Sequence, residues 1–145
     1  MNQDFVALLR ELREAEARFL VVGAYALAHH ARPRATGDLD IWVESTPENA
    51  RRVHGALHAF GAPLTDLSVA DLTQPDLVYQ IGIVPRRIDI LTSLTGLAFA
   101  DAWPQRVMGS LGDLTCPFIG RAELIRNKRA LGRPRDLADL EALGE

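Results

Sequence analysis

The chain has 145 residues, 48% of them hydrophobic, and a net charge of −3, which predicts one globular domain over residues 1–145. The acidic balance excludes a general electrostatic attraction for nucleic acid, so a nucleic-acid partner would need a local basic patch. The single cysteine, Cys116, excludes an intrachain disulfide. The charged residues at the start of the sequence predict no signal peptide, and the most apolar run is too short to span a bilayer. We therefore expect a cytoplasmic protein with no membrane partner.

The first third of the chain predicts helix, strand, helix and strand in that order. Apolar residues recur at helical spacing over residues 2–16, and Phe19–Val22 is a short, continuously apolar strand of the kind buried on both faces. Gly23 permits a tight turn into a helix over residues 24–31, whose N-terminus offers free N–H groups for a phosphate. A basic loop then leads into a strand over Leu39–Val43.

The middle of the chain predicts a helix followed by two strands. Thr46 is the expected N-cap and Pro47 lies in the first turn of a helix that ends at Gly61. Residues 61–75 are expected to form a loop with one helical turn. Strands are expected over residues 77–84 and 87–91, paired as a hairpin.

The last third predicts a short helix, a second hairpin and two helices. The short helix covers residues 95–102, and the hairpin joins residues 106–108 to residues 114–118. A helix over Arg121–Leu131 is followed by a break and a final helix to residue 143. The predicted fold is α/β, or α+β by strict classification: a mixed, mostly antiparallel sheet of four or five strands, helices packed on one side, and a C-terminal helical segment.

Three aspartates carry the chemistry that the sequence suggests. Asp38 and Asp40 are two residues apart at a strand, so both side chains leave the same face and repel each other unless a cation lies between them. Asp89 has an equivalent strand context, and three carboxylates on neighbouring strands can hold two divalent metal ions. Ligands made only of oxygen favour Mg²⁺ or Mn²⁺ over zinc.

The order of these parts resembles the nucleotidyltransferase superfamily, which has the DNA-polymerase-β-like fold. The stretch G-A-Y-A-L…R-x-T-G-D-L-D-I is similar to small stand-alone bacterial nucleotidyltransferases and to abortive-infection-type toxin transferases. The closing stretch L-I-R-N-K-R-A-L-G-R-P-R-D-L-A-D-L-E-A-L resembles the C-terminal motif of the same group. The resemblance covers residues 19–143.

This resemblance implies an enzyme that transfers a nucleoside monophosphate from an NTP, such as ATP, to a hydroxyl acceptor with Mg²⁺ or Mn²⁺. The acceptor is an RNA 3′ end, as in tRNA, a protein or a small molecule, and the implied partners are a cognate antitoxin or a second copy of the chain. The implied catalytic residues and metal ligands are Asp38, Asp40 and Asp89. The implied nucleotide-binding residues are Gly23, Ala24, Arg34, Thr36, Lys128 and Arg135, with Asp136 orienting a base or a helix end.

Alternatives stay open at several of these positions. The superfamily turn usually reads Gly-Gly or Gly-Ser, and Ala24 supplies no hydroxyl, which favours a catalytically lapsed module that binds a nucleotide or a protein. Asp38 and Asp40 could instead form a solvated strand edge, and Asp89 could pair with Arg86 or Arg87. The adjacent His29 and His30 could be ligands for a metal or an acceptor, or residues that pack at the surface. His54 and His58 could form a metal-binding pair or have a structural role.

Overall fold

The structure is a computed structural model that describes residues 2–32, 37–83 and 85–145. In chain order the elements are α1 (Gln3–Glu14), β1 (Phe19–Val22), α2 (Gly23–His30), β2 (Leu39–Val43), α3 (Pro47–Phe60), β3 (Val78–Ile81), β4 (Ile88–Leu91), α4 (Phe99–Ala102), β5 (Val107–Leu111), β6 (Leu114–Phe118), α5 (Arg121–Leu131) and α6 (Pro134–Ala142). Short 3₁₀ turns lie at Asp71–Thr73 and Trp103–Gln105. None of the helices in these ranges is long and apolar enough to cross a membrane.

The described strands form one mixed sheet in the order β3-β4-β2-β1-β6-β5. Neighbours along the chain pair antiparallel, as β1 with β2, β3 with β4 and β5 with β6. The pairs β1–β6 and β2–β4 are parallel. The predicted α/β class is confirmed. The sheet has six strands within the described residues instead of four or five, because the late hairpin extends the sheet through β6.

The core forms where α1 and α3 pack beside the central strands. The apolar stripe of α1 is buried, as its spacing predicts, with Phe5, Leu8, Leu9 and Leu12 at 2% exposure or less. Strand β1 is buried along its whole length, so both of its faces are covered, and β2 and β6 pair with its two edges. The buried Asn49 of α3 accepts a hydrogen bond from Arg18 N and donates to the carbonyls of Arg18 and Glu44, which ties α3 to the ends of β1 and β2.

Two predicted elements are shorter in the structure because glycines with positive φ interrupt them. The helix predicted over residues 95–102 is confined to α4, and Gly96, at φ +86°, lies in a tight loop bridged by Leu94 and Leu97. Of the strand predicted over residues 77–84, β3 covers Val78–Ile81 and is followed by Gly82 at φ +81°, whereas residue 84 lies outside the described residues. The hairpin between β3 and β4 forms as predicted.

Candidate functional site

Strand register brings two of the predicted acids side by side. Strand β2 pairs in parallel with β4, and Asp40 is the register partner of Asp89. On its other side Asp40 is the register partner of Val22, the last residue of β1. Asp38 lies just before β2, where it contacts Arg87 and its charge acts on Asp40. Three carboxylates thus converge at the point where β1 turns into α2.

The turn at Gly23 is shaped by contact with this acidic cluster. Gly23 has φ +65°, a conformation that side-chain-bearing residues rarely adopt. A Cβ atom at this position would overlap the Oδ2 atom of Asp40 and lie 3.1 Å from its Cγ. Glycine is therefore required twice, for the backbone conformation and for the close approach of the Asp40 carboxylate to the start of α2.

A single arginine, Arg87, binds two of the three acids. Its Nε donates to Asp89 Oδ1 at 2.8 Å and its Nη2 donates to Asp89 Oδ2 at 3.3 Å. Its backbone N–H donates to Asp38 Oδ1 at 2.9 Å, and its Nη2 lies 3.7 Å from Asp38 Oδ2. Of the two arginines that the sequence offered as partners for Asp89, Arg87 forms the pair, whereas Arg86 is exposed. Pairing with Arg87 and convergence of the acids occur together.

The surroundings of Asp40 perturb its carboxyl group. Burial raises the pKa of Asp40 to about 6, and the neighbouring charges of Asp89 and Asp38 and a hydrogen bond with Asp89 act in the same direction. The guanidinium of Arg87 opposes this shift. Among the described residues, Arg87 therefore compensates the three carboxylates only in part, which leaves a site that favours a further cation.

The C-terminal helices supply a second group of charged residues, organised around Asp136. This fully buried carboxylate accepts hydrogen bonds from the backbone N, Nε and Nη2 of Arg133 at 3.1, 2.6 and 3.1 Å. These hydrogen bonds lower the pKa of Asp136 to about 2. Nζ of the buried Lys128 lies 3.5 Å from Asp136 Oδ1 and 3.0 Å from Asp139 Oδ2. Asp136 therefore joins the end of α5 to the first turn of α6.

The acidic cluster and the basic helix ends face each other across one cleft of about 460 Å³. Its first wall consists of the turn and the acids with Arg87, and its second wall consists of residues of α5, α6 and the loop between them. The residues of the second wall are Asn127, Lys128, Leu131, Arg133, Arg135 and Asp139. Arg135 is exposed, and it forms no ion pair with any residue in the described part of the chain.

The remaining residues singled out from the sequence do not line the cleft or lie outside the described residues. Arg34 and Thr36 lie outside the described residues. The ring of His29 stacks on Phe118, and His30 Nε2 hydrogen-bonds to the Ile119 carbonyl at 2.7 Å, so both pack against β6 and the residue that follows it. His54 Nε2 hydrogen-bonds to a loop carbonyl at 3.0 Å, in agreement with the structural reading.

Among the charged residues of the cleft, sequence reasoning did not assign a role to Arg133 or Asp139. Arg133 had a usable signal, since it lies three residues before Asp136 at the start of a helix, where reciprocal capping pairs occur. Asp139 had none, because its contact with Lys128 depends on how α5 and α6 pack.

The acidic cluster fits a hard divalent cation by its donor chemistry. Asp38, Asp40 and Asp89 offer only carboxylate oxygens, the ligands that Mg²⁺ and Mn²⁺ prefer. In the ranges that the structure describes, no group of three or more His, Cys, Asp or Glu side chains is arranged so that all of them could hold one metal ion. The geometry agrees with this, since Asp89 directs both of its oxygens to Arg87.

No protein-family model matches the sequence, and no curated protein matches it. The fold is similar to the crystal structure of a candidate nucleotidyltransferase from Thermotoga maritima, with a TM-score of 0.59 over 97% of this chain and 92% of that chain. The two sequences are 14% identical, so the similarity establishes the fold alone. The chain therefore has a nucleotidyltransferase-like fold.

Proposed function

We propose that this chain is a metal-dependent nucleotidyltransferase, which transfers a nucleoside monophosphate from an NTP to a hydroxyl acceptor and releases pyrophosphate. The observation that carries the proposal is the convergence of Asp38, Asp40 and Asp89 beside the Gly23 turn, at the edge of the cleft that α5 and α6 close. The nucleotidyltransferase-like fold supports it.

In the proposed reaction the acceptor oxygen bonds to the α-phosphorus as the bond to the bridging oxygen breaks and pyrophosphate leaves. A divalent ion held in the acidic cluster would neutralise charge that develops on the reacting oxygens. The chain itself contributes mainly positioning, as is usual for phosphoryl transfer. The backbone N–H groups at the start of α2, that of Ala24 among them, are suited to bind phosphate oxygens, and a carboxylate of the cluster accepts the acceptor's proton.

Two residues of the second wall of the cleft, Arg135 and Lys128, have different proposed roles because their ion pairs differ. Arg135 is exposed to the cleft and is suited to contact the phosphates of the nucleotide or the acceptor. Lys128 is 8% exposed and already paired with two carboxylates of α6. Its proposed role is therefore to hold α5 and α6 together at the cleft, where its positive charge is partly neutralised. Because the sequence resembles toxin-type transferases, an RNA 3′ end is the first acceptor to test, ahead of protein and small-molecule hydroxyls.

A second candidate function is a lapsed module that binds a nucleotide or a protein without transfer. Two observations favour it: Ala24 brings no hydroxyl to the turn, and Arg87 already occupies Asp89 and Asp38. Both functions can include nucleotide binding, but only the enzyme requires that binding to depend on the acids and on a divalent ion.

Calorimetric titration of each NTP, with Mg²⁺ or with EDTA, separates the two functions. For the enzyme we expect nucleotide binding that requires Mg²⁺ and is lost in Asp38→Ala. Asp113→Ala is the matched control, because the Asp113 side chain is 81% exposed and pairs with Arg10 away from the cleft. Binding that ignores Mg²⁺ and survives Asp38→Ala would favour the lapsed module.

A further inference from the structure

We infer that Arg87 is a built-in second cation of the acidic cluster, so that the free chain binds one divalent ion instead of two. The inference rests on the proposed function, because it concerns the metal ion that this function requires. Asp38, Asp40 and Asp89 carry three negative charges, and within residues 2–32, 37–83 and 85–145 the basic side chain that pairs with them is Arg87, which returns one positive charge. The remaining two negative charges are balanced by a single divalent ion.

The geometry of the Arg87–Asp89 pair makes Arg87 a persistent counter-ion. Two nitrogens of its guanidinium bind the two oxygens of Asp89, the bidentate arrangement that is strongest for arginine and carboxylate. Arg87 and Asp89 are two residues apart across the start of one strand, so the pair forms within a single stretch of backbone. A guanidinium keeps its charge at every pH at which proteins fold.

The backbone of Arg87 also fixes the neighbouring acid. Its N–H donates to Asp38 Oδ1, which leaves Asp38 Oδ2 as the oxygen without a short hydrogen bond to Arg87, at 3.7 Å from Nη2. The side chain of Arg87 is 29% exposed, so most of it is packed against the site and not free in solvent. Removal of the guanidinium therefore alters the charge of the cluster and leaves the backbone contact to Asp38 in place.

The position left for a divalent ion lies near Asp40. Within the described residues Asp40 forms no ion pair with a basic side chain, unlike Asp38 and Asp89. Asp40 also approaches the Gly23 turn most closely. The absence of a formed three-acid metal arrangement in the described ranges agrees with an ion that uses Asp40 and Asp38 while Asp89 stays with Arg87.

The test is a Mn²⁺ titration of the full chain, with free Mn²⁺ measured by electron paramagnetic resonance. The variants are Arg87→Gln and the matched control Arg86→Gln, which makes the same change in net charge at an exposed neighbouring arginine. We expect one bound Mn²⁺ per chain for the wild type and for Arg86→Gln. For Arg87→Gln we expect about tenfold tighter binding or a second bound ion, because a positive charge a few ångströms from the ion has been removed. Arg87→Lys keeps the charge and should keep the count at one.

Two results would overturn the inference, and they have different consequences for the proposed function. Two Mn²⁺ ions on the wild type, or Arg87→Gln titrating like Arg86→Gln, would refute the role of Arg87 and leave a metal-dependent enzyme in place. No Mn²⁺ bound to any form would refute both. Thermal unfolding in EDTA adds a second measurement: Arg87→Gln should melt below Arg86→Gln without metal and recover when Mn²⁺ is added, since repulsion among the acids is then relieved.

Discussion

Replacement of Gly23 by alanine tests the contact between the turn and Asp40. A Cβ atom at Gly23 would overlap Asp40 Oδ2 and lie 3.2 Å from Asp40 Cβ, so the carboxylate must move. Gly61→Ala is the matched control. Gly61 also has a positive φ, +94°, but a Cβ there meets no atom of the described residues within 4 Å.

The two substitutions share one energetic term and differ in another. Placing a residue with a side chain in the left-handed region lowers the unfolding free energy by about 1–2 kcal/mol, and this cost applies to both variants. Crowding in a packed region adds about 1–3 kcal/mol, which only Gly23→Ala incurs. We therefore expect Gly61→Ala to lose about 1–2 kcal/mol of unfolding free energy and Gly23→Ala about 2–5 kcal/mol.

Urea denaturation measures the unfolding free energies, and Mn²⁺ titration of the folded variants measures the site. Gly23→Ala should weaken Mn²⁺ binding by at least about tenfold, because Asp40 is displaced from the other acids, whereas Gly61→Ala should bind as the wild type does. Equal unfolding free energies for the two variants, together with unchanged Mn²⁺ affinity in Gly23→Ala, would refute the argued contact between the turn and Asp40.

Three further predictions concern the C-terminal helices α5 and α6. Asp136→Ala should lower the unfolding free energy by about 2–3 kcal/mol, because it leaves the buried Lys128 with one partner fewer. This value is below the usual cost of breaking a buried ion pair, because the other partner of Asp136, Arg133, is 44% exposed. An equal loss of unfolding free energy in Asp113→Ala would contradict the prediction. Because hydrogen bonds lower the pKa of Asp136 from 3.8 to about 2, its contribution is full above pH 3.8 and is lost as the pH falls toward 2. Acid titration of Asp136→Asn should lack this loss, and a profile identical to that of the wild type would refute the assignment. Arg135→Gln should raise the KM for NTP about tenfold with little change in Tm, whereas Arg126→Gln, an exposed arginine of α5 outside the cleft lining, should leave both unchanged.

Most of the elements could be predicted because their signals are local. The bounds of β1, β2, β6 and α5 agree with the prediction, since apolar runs and flanking glycines or prolines mark them. Thr46 accepts a hydrogen bond from Asn49 N, and Gly61 ends α3 at positive φ, as their residue types indicate. Gly96 is harder to interpret, because an isolated glycine can be tolerated within a helix or can interrupt it.

The sheet order could not be predicted, because it depends on contacts between distant parts of the chain. The parallel pairs β1–β6 and β2–β4 join segments that are far apart in sequence. The pairing of β2 with β4 sets Asp40 beside Asp89. From the sequence, this arrangement follows only if the two strands are assumed to be neighbours. Similarly, the sequence offered both a metal and an arginine as partners for Asp89, and only the packed geometry of Arg87 distinguishes them.

The C-terminal motif shows how the structure refines a residue's proposed role. The resemblance implied Lys128 and Arg135 as equivalent phosphate contacts. In the structure Lys128 is buried between Asp136 and Asp139, whereas Arg135 is exposed at the cleft. The difference arises from the packing of α6 against α5, which places two carboxylates of α6 around the Lys128 ammonium.

The most direct test of the central claim is label transfer from each of the four α-³²P NTPs, with Mg²⁺, to total RNA and to whole-cell protein. The Asp40→Asn variant is the blank, because it removes one charge of the cluster and keeps the shape of the side chain, and near-UV circular dichroism checks that its fold is retained. The proposed function predicts a labelled band from at least one NTP with the wild type and at least about a hundredfold less label with Asp40→Asn. Label that is equal in the two proteins, or nucleotide binding without any label transfer to RNA, protein or added small-molecule hydroxyls, would contradict it.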